Sequence, residues 1–88
     1  MSQEETFLEF PCEFPIKVMG RSDMDLQALV MELVSKHVPE LREQDIIRRD
    51  SRQGNFVSLT VTVTATSKAQ LDRIYLDLNA SDAVLMTL

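Results

Sequence analysis

Two side chains in this sequence have the chemistry of a nucleophile and its base. Cys12 supplies a thiol and His37 an imidazole, and each is the single residue of its type. Nucleophilic catalysis needs the base within hydrogen-bond reach of the nucleophile. Cys12 follows Pro11 in an acidic leading segment, whereas His37 falls in the last turn of a predicted helix, where a cation suits the helix dipole. We therefore interpret both as structural residues and predict no catalytic residue.

Carboxylates and glycines in the chain do not form a recognisable metal or phosphate site. Asp23 and Asp25 stand at a predicted helix start, and Asp72 and Asp77 lie on a second predicted helix. Neither pair has the ligand number or loop spacing that calcium or magnesium requires, so capping and solvated helix surface are the favoured roles. Phosphate-binding loops need several glycines at set intervals, and this chain has two in all. No metal and no cofactor is predicted.

One basic cluster stands out in an acidic chain of net charge -5. Arg48, Arg49 and Arg52, with Arg42 nearby, precede a turn, and a hairpin there would present guanidinium groups to an anionic ligand or an acidic partner. A charged edge strand kept soluble by its arginines is the alternative. We predict Arg48, Arg49 and Arg52 as anion-binding or partner-binding residues, with that alternative left open.

Length and composition indicate one folded domain. The 88 residues are 44% hydrophobic and 26% charged, and no apolar run approaches the roughly 18 residues of a membrane span. The acidic start lacks the basic and apolar parts of a secretory signal, and a single cysteine agrees with a reducing compartment. We expect a cytoplasmic protein without membrane contact, with an acidic N-terminal arm over 1–13 and a domain over 14–88.

The first half of that domain predicts a strand and a helix. Phe14 to Met19 is typical of a strand, and Gly20 would permit a sharp exit from it. A helix should open at Ser22 or Asp23 and stop before Pro39. Its apolar residues recur at three-four spacing and predict one buried stripe, formed by Leu26, Leu29, Val30, Leu33 and Val34.

The second half predicts a hairpin, a helix and a last strand. Asp45 to Arg52 and Phe56 to Ala65 are strands joined by a turn at Gln53-Gly54-Asn55, and the second strand alternates between apolar and hydroxyl side chains. Ser67 opens a helix that ends near Asn79, and Ala83 to Leu88 is a short strand. The predicted fold is α+β, a ferredoxin-like βαββαβ arrangement with two helices on one face of a four-stranded antiparallel sheet. One core should contain Leu29, Leu33, Val57, Leu59, Val61, Ile74 and Leu78.

The same strand order occurs in the RNA-recognition module, which stacks bases on aromatic residues of its central strands. The run Arg52 to Leu59 aligns with the third-strand pattern of that module, but Phe56 fills just one of its three aromatic positions. Nine basic against fourteen acidic residues also disfavour nucleic acid. A protein partner or a small anionic metabolite is the expected ligand.

Several motifs together resemble the YbeD-like family of small uncharacterised bacterial proteins. The resemblance extends from about Leu8 to Leu88 and rests on Phe10–Gly20, Gly54-Asn55-Phe56, Ala65-Thr66-Ser67 with Gln70-Leu71 and Ile74-Tyr75, and Val84–Leu88. It implies a ferredoxin-like domain similar to the ACT regulatory domains, and a link to lipoate metabolism. ACT-like domains bind ligand at the turn after the first strand and at dimer interfaces. That analogy implies ligand binding at Gly20, Arg21, Ser22 and Asp23.

We expect a non-enzymatic regulatory or protein-interaction module, with metabolite binding and a homodimer as arrangements that the resemblance permits. The alternatives are an RNA-binding module and a small enzyme of unknown reaction. An enzyme would need a cleft with convergent polar groups, and the sequence shows no such set.

Overall fold

The computed structural model describes residues 9–88, which form four strands and two α-helices. The elements are β1 (Cys12–Arg21), α1 (Leu26–Ser35), β2 (Ile46–Asp50), β3 (Phe56–Ala65), α2 (Lys68–Asn79) and β4 (Val84–Thr87), with one 3-10 turn at Glu43–Asp45. All strand pairs are antiparallel, in the order β2-β3-β1-β4. The predicted ferredoxin-like βαββαβ fold is confirmed.

The first strand is longer at both ends than the sequence pattern indicated. Cys12 pairs with Ala65 and Glu13 with Thr64, so two residues assigned to the acidic arm belong to the sheet. Residues 1–8 of that arm lie outside the described residues. At the other end Gly20 pairs with Val57 inside β1, so the prediction of Gly20 as the exit from the strand was wrong. The ladder with β3 continues one residue further, because Arg21 pairs with Phe56, the first residue of β3.

Helix α1 begins three or four residues later than predicted, at Leu26. The carboxylate of Asp25 caps it by accepting a hydrogen bond from the Ala28 amide at 3.2 Å. Ser22 lies in the preceding turn instead, where its hydroxyl donates to the backbone oxygen of Gly54. Because that hydroxyl is already bound across the sheet end, Asp25 takes the capping role.

Helix α2 begins where the capping pattern placed it. The Ser67 hydroxyl accepts a hydrogen bond from the Gln70 amide at 3.0 Å, and the Gln70 side-chain oxygen accepts one from the Thr66 amide at 2.7 Å. Local sequence alone was therefore sufficient to position this helix start.

A single core fills the space between the two helices and one face of the sheet. Strand β3 contributes Val57, Leu59, Val61, Val63 and Ala65, which confirms its predicted alternation. The buried stripe of α1 is Leu26, Val30 and Val34, whereas Leu29 and Leu33 are half-buried and pack at the margin of the core. Leu29 and Leu33 do contact the core, but the side chains that recur every four residues from Leu26 to Val34 are the ones that face the sheet.

Candidate functional site

The sheet has one face that no segment of residues 9–88 covers, and we call it the open face. The buried residues of both helices pack in one cluster with the inward side chains of β1 and β3, so the alternate side chains of every strand point to the open face. Strand register then aligns side chains from distant parts of the chain in rows across the sheet. A first row runs Arg49, Ser58, Met19, Met86, and a second row runs Ile47, Thr60, Lys17, Leu88.

Apolar side chains are exposed along both rows and at the end of β3. The exposed fractions are 66% for Ile47, 46% for Phe56, 49% for Met86 and 67% for Leu88. The hydroxyl ladder of β3 is on this face as predicted, and it is half-buried throughout. Sequence reasoning missed that the neighbouring strands flank this ladder with methionine, leucine and isoleucine. The available signal was in β1, where Lys17 and Met19 alternate with the buried Ile16 and Val18 and so share the other face.

Two cations of the open face lack an ionic partner among residues 9–88. Arg49 stands in the first row and Lys17 in the second, and neither lies in a described ion pair. Arg21, beside Phe56 at the end of the sheet, contacts Asp23 at 3.2 Å. Among the open-face residues of β1, the carboxylate is that of Glu13, near the start of the strand and far from Arg21. The rows therefore combine apolar surface with unneutralised positive charge.

The predicted arginine cluster is divided between the two sides of the sheet. Arg48 is opposite Leu59, on the side that the helices cover, and its guanidinium contacts Asp50 at 3.0 Å. Arg49 is opposite Ser58 on the open face, and Arg52 lies in the hairpin turn. Adjacent strand residues point to opposite faces, so Arg48 and Arg49 cannot serve one ligand together. Of the three, Arg49 alone lies in the first row of the open face.

The predicted ligand residues after β1 are largely engaged with one another. Gly20 is buried, Arg21 pairs with Asp23, and Ser22 donates to the backbone oxygen of Gly54. A pocket of about 280 Å³ is lined by Arg21, Ser22, Asp23, Asn55 and Phe56. Its guanidinium and hydroxyl groups already have partners within the protein, so an anion would have to displace them.

Phe56 lines a second pocket, on the open face. This depression of about 160 Å³ is bordered by Met19, Arg49, Asp50, Ser51, Phe56, Val57 and Ser58. Arg49 therefore stands at the edge of an apolar hollow between Phe56 and Met19. An apolar side chain in the hollow would bring an adjacent anionic group within reach of the guanidinium.

The cysteine and histidine that could have formed a reactive pair have separate surroundings. Cys12 begins β1, is half-buried and packs against the core. His37 follows α1, and its Nε2 lies 2.6 Å from Oδ2 of Asp77 on α2. The Gln70 side-chain amide also donates to the His37 backbone oxygen at 3.1 Å, so this part of the chain joins the two helices.

Three further observations concern titration, metals and membranes. Desolvation by burial raises the pKa of Tyr75 above its usual value of 10.0. No group of three or more His, Cys, Asp or Glu residues within 9–88 is arranged to hold a metal ion. Over the same residues, no helix is long and apolar enough to cross a membrane.

Comparison with known proteins decides the family. The model of the family described as "Protein of unknown function (DUF493)" matches residues 5–88. The chain belongs to the DUF493 family. A UPF0250 protein of Chromobacterium violaceum is 45% identical over 86 residues, covering 98% of this chain and 97% of that protein. A UPF0250 protein of Ectopseudomonas mendocina is 46% identical over 82 residues, covering 92% and 89%. The resemblance to YbeD-like proteins is thereby confirmed.

A solved structure shares this DUF493 architecture. The solution structure of protein HP0495 from H. pylori superposes with a TM-score of 0.74, covering 98% of this chain and 90% of that one, at 16% sequence identity. At that identity the likeness concerns the fold alone. The DUF493 relatives are uncharacterised bacterial proteins, so the function has to be argued from the open face itself.

Proposed function

We propose that this DUF493 protein is a non-enzymatic regulatory module that binds a protein partner on the open face of its sheet. One observation carries the proposal: Met19 adjoins Met86 in the first row, Leu88 follows Met86 at the end of β4, and Phe56 and Ile47 are exposed on the same sheet face, which residues 9–88 leave uncovered. Exposed apolar surface that is rimmed by polar residues is typical of protein interaction sites.

The energetics favour a macromolecular surface over a small ligand. Fully covering one large apolar side chain contributes about 1.5 to 3 kcal/mol, so four or five such side chains can support an interface. Small-molecule sites are enclosed clefts of roughly 300 to 1,000 Å³. On the open face the hollow beside Phe56 measures about 160 Å³. At the predicted ligand residues the pocket measures about 280 Å³, and its Arg21 guanidinium and Ser22 hydroxyl are already paired. We therefore place the metabolite site of the sequence-based hypothesis second to a protein interface.

The other hypotheses from the sequence have less support on this face. Base stacking in RNA-recognition modules needs several aromatic residues on the central strands. Among the described open-face positions of β1 and β3, the one aromatic residue is Phe56, at the end of β3. Phe14 is opposite Val63 and points to the helix side. An enzyme would need a base beside a nucleophile, whereas His37 is occupied by Asp77.

The cellular setting is part of the proposal. A single cysteine agrees with the cytoplasm. The YbeD-like resemblance implies a link to lipoate metabolism, and partners should first be sought there. Regulation would follow if the partner is an enzyme whose activity changes when the open face is covered.

Site-specific photo-crosslinking in living cells tests the interface. A photoreactive phenylalanine analogue replaces Ile47 on the open face in one variant and Leu76 on α2 in another. The two positions are matched, since their side chains are 66% and 70% exposed on opposite layers of the domain. We expect a protein adduct of discrete mass at position 47 and none at position 76. Adducts confined to position 76, or absent from both, would contradict the proposal.

A further inference from the structure

We infer that the partner presents an acidic segment with apolar side chains, which the open face receives through Lys17 and Arg49. This inference rests on the proposed function and adds the chemistry of the occupant. It follows from the position of two cations on the open face of an acidic protein, and from the apolar side chains beside them.

The charge distribution of the chain is uneven. The protein carries 14 acidic and 9 basic residues, yet Lys17 and Arg49 stand in the two apolar rows without an ion pair among residues 9–88. Of the acidic groups near this face, Glu13 lies toward the far end of β1, and Asp50, which borders the hollow, is paired with Arg48 at 3.0 Å. Asp72 and Glu32 are exposed on the helix layer. The open face therefore presents a local positive potential that attracts anionic groups despite the net charge of -5.

The positions of the two cations limit the spacing of the anions. Arg49 on β2 and Lys17 on β1 lie one row apart along the strands and two strands apart across the sheet. Those steps correspond to about 7 Å and about 10 Å, so the backbones of the two residues are roughly 12 Å apart. Two carboxylates separated by about two turns of an α-helix, near 11 Å, would match that separation.

The apolar neighbours specify the rest of the segment. Arg49 borders the hollow formed with Met19 and Phe56, and Lys17 lies between Thr60 and Leu88 in its row. A leucine or phenylalanine of the partner would fill the hollow while a nearby carboxylate reaches the guanidinium. Methionine and arginine suit such a surface, because a thioether adapts its shape and a guanidinium binds a carboxylate with two parallel hydrogen bonds.

The same charges argue against a second copy of this chain as the occupant. In a two-fold dimer the same patch meets itself, so the cations of one open face would lie against those of the other. Nucleic acid would satisfy Lys17 and Arg49 but would leave Ile47, Met86 and Leu88 without apolar partners. An acidic protein segment satisfies both the charged and the apolar groups.

Peptide selection tests this chemistry with a defined probe. Random peptides of about twelve residues, long enough to cross both rows at about 3.3 Å per residue, are selected for binding to the full chain at low ionic strength. We expect the bound peptides to be enriched in Asp and Glu together with Leu or Phe. Their affinity should fall about tenfold or more in a variant carrying Lys17→Glu and Arg49→Glu, and also on addition of salt.

The neighbouring arginine provides a matched control. Arg48→Glu changes the chain charge as Arg49→Glu does, but acts on the helix side of the sheet beside Asp50. Peptide binding should be lost on Arg49→Glu and retained on Arg48→Glu, with circular dichroism confirming the fold of both variants. Equal loss in both variants would overturn the inference, as would selected peptides without acidic enrichment.

Three further outcomes distinguish a failure of this inference from a failure of the proposed function or a different occupant. A crosslinked partner at position 47, combined with selected peptides of neutral or basic composition, overturns the acidic chemistry and leaves the interface intact. Binding of a single-stranded uridine oligonucleotide, or self-association of the chain that Arg49→Glu changes in ultracentrifugation, would assign the open face to RNA or to a second copy. The inference stands only if the acidic peptides bind, the oligonucleotide does not bind, and Arg49→Glu changes no self-association of the chain.

Discussion

An added Cβ atom at Gly20 would lie 2.6 Å from the carbonyl oxygen of Ala83. Real Cβ atoms do not approach a backbone oxygen so closely, and the Leu26 side chain would lie at 2.9 Å as well. Gly20 is therefore required for the packing of β1 against the segment before β4. This packing accounts for the presence of glycine at position 20, which the resemblance to ACT-like domains assigned to ligand binding.

Gly20→Ala should destabilise the domain by about 1 to 3 kcal/mol, because a methyl group must displace a backbone oxygen in a packed region. The measurement is the free energy of unfolding by chemical denaturation. Gly54→Asn is the control: a Cβ there meets nothing within 4 Å, and asparagine tolerates the positive φ of +77°. A Gly20→Ala variant as stable as wild type would disprove the close contact.

Two leucines of α1 allow the same substitution to be compared at different depths. Leu26 is fully buried, whereas Leu33 is half-buried at the margin of the core. Leu26→Ala should cost about 2 to 5 kcal/mol, since it removes buried methyl groups and leaves a cavity. Leu33→Ala should cost clearly less, as judged by denaturation midpoints. The opposite order would show that α1 is rotated relative to the sheet.

The pair of His37 and Asp77 should couple the ends of the two helices. A double-mutant cycle with His37→Ala and Asp77→Ala is expected to give a coupling energy of about 0.5 to 1.5 kcal/mol, because the 2.6 Å contact is partly shielded from water. Lys68 and Asp72, 3.0 Å apart on the solvent side of α2, provide a control pair that should couple by about 0.3 to 0.5 kcal/mol. Equal coupling in both cycles would assign no special role to His37.

Tyr75 should make stability sensitive to alkaline pH. Its hydroxyl donates to the backbone oxygen of Leu88 at 3.1 Å, and burial raises its pKa above 10.0. The folded state thus favours the neutral phenol, so the contribution is fully present below the unfolded pKa near 10 and is lost as pH rises through the folded pKa. Tyr75→Phe, which cannot ionise, should lose less stability than wild type over that range. Parallel stability curves for the two proteins would contradict this assignment.

Short-range patterns were sufficient for most elements of the fold. The alternation of β3, the capping pair of Ser67 and Gln70, and the turn at Gly54 each depend on interactions between residues near in sequence. The order of these elements then left few ways to pair four strands, and the ferredoxin-like arrangement followed. The start of the first helix was less predictable, because Ser22, Asp23 and Asp25 all have side chains that can cap a helix. The Ser22 hydroxyl donates instead to the backbone oxygen of Gly54, and Asp25 caps the helix.

The candidate site depended on the tertiary structure. The sequence alone determined that Arg48 and Arg49 are neighbours and that the chain is acidic. It did not determine that Arg49 shares a row with Met19 and Met86, since these residues come from three strands far apart in the chain. Strand register sets such rows, and a shift of one residue would move every side chain to the other face. Local propensities act within a few residues, whereas the open face exists only once long-range pairing has fixed that register.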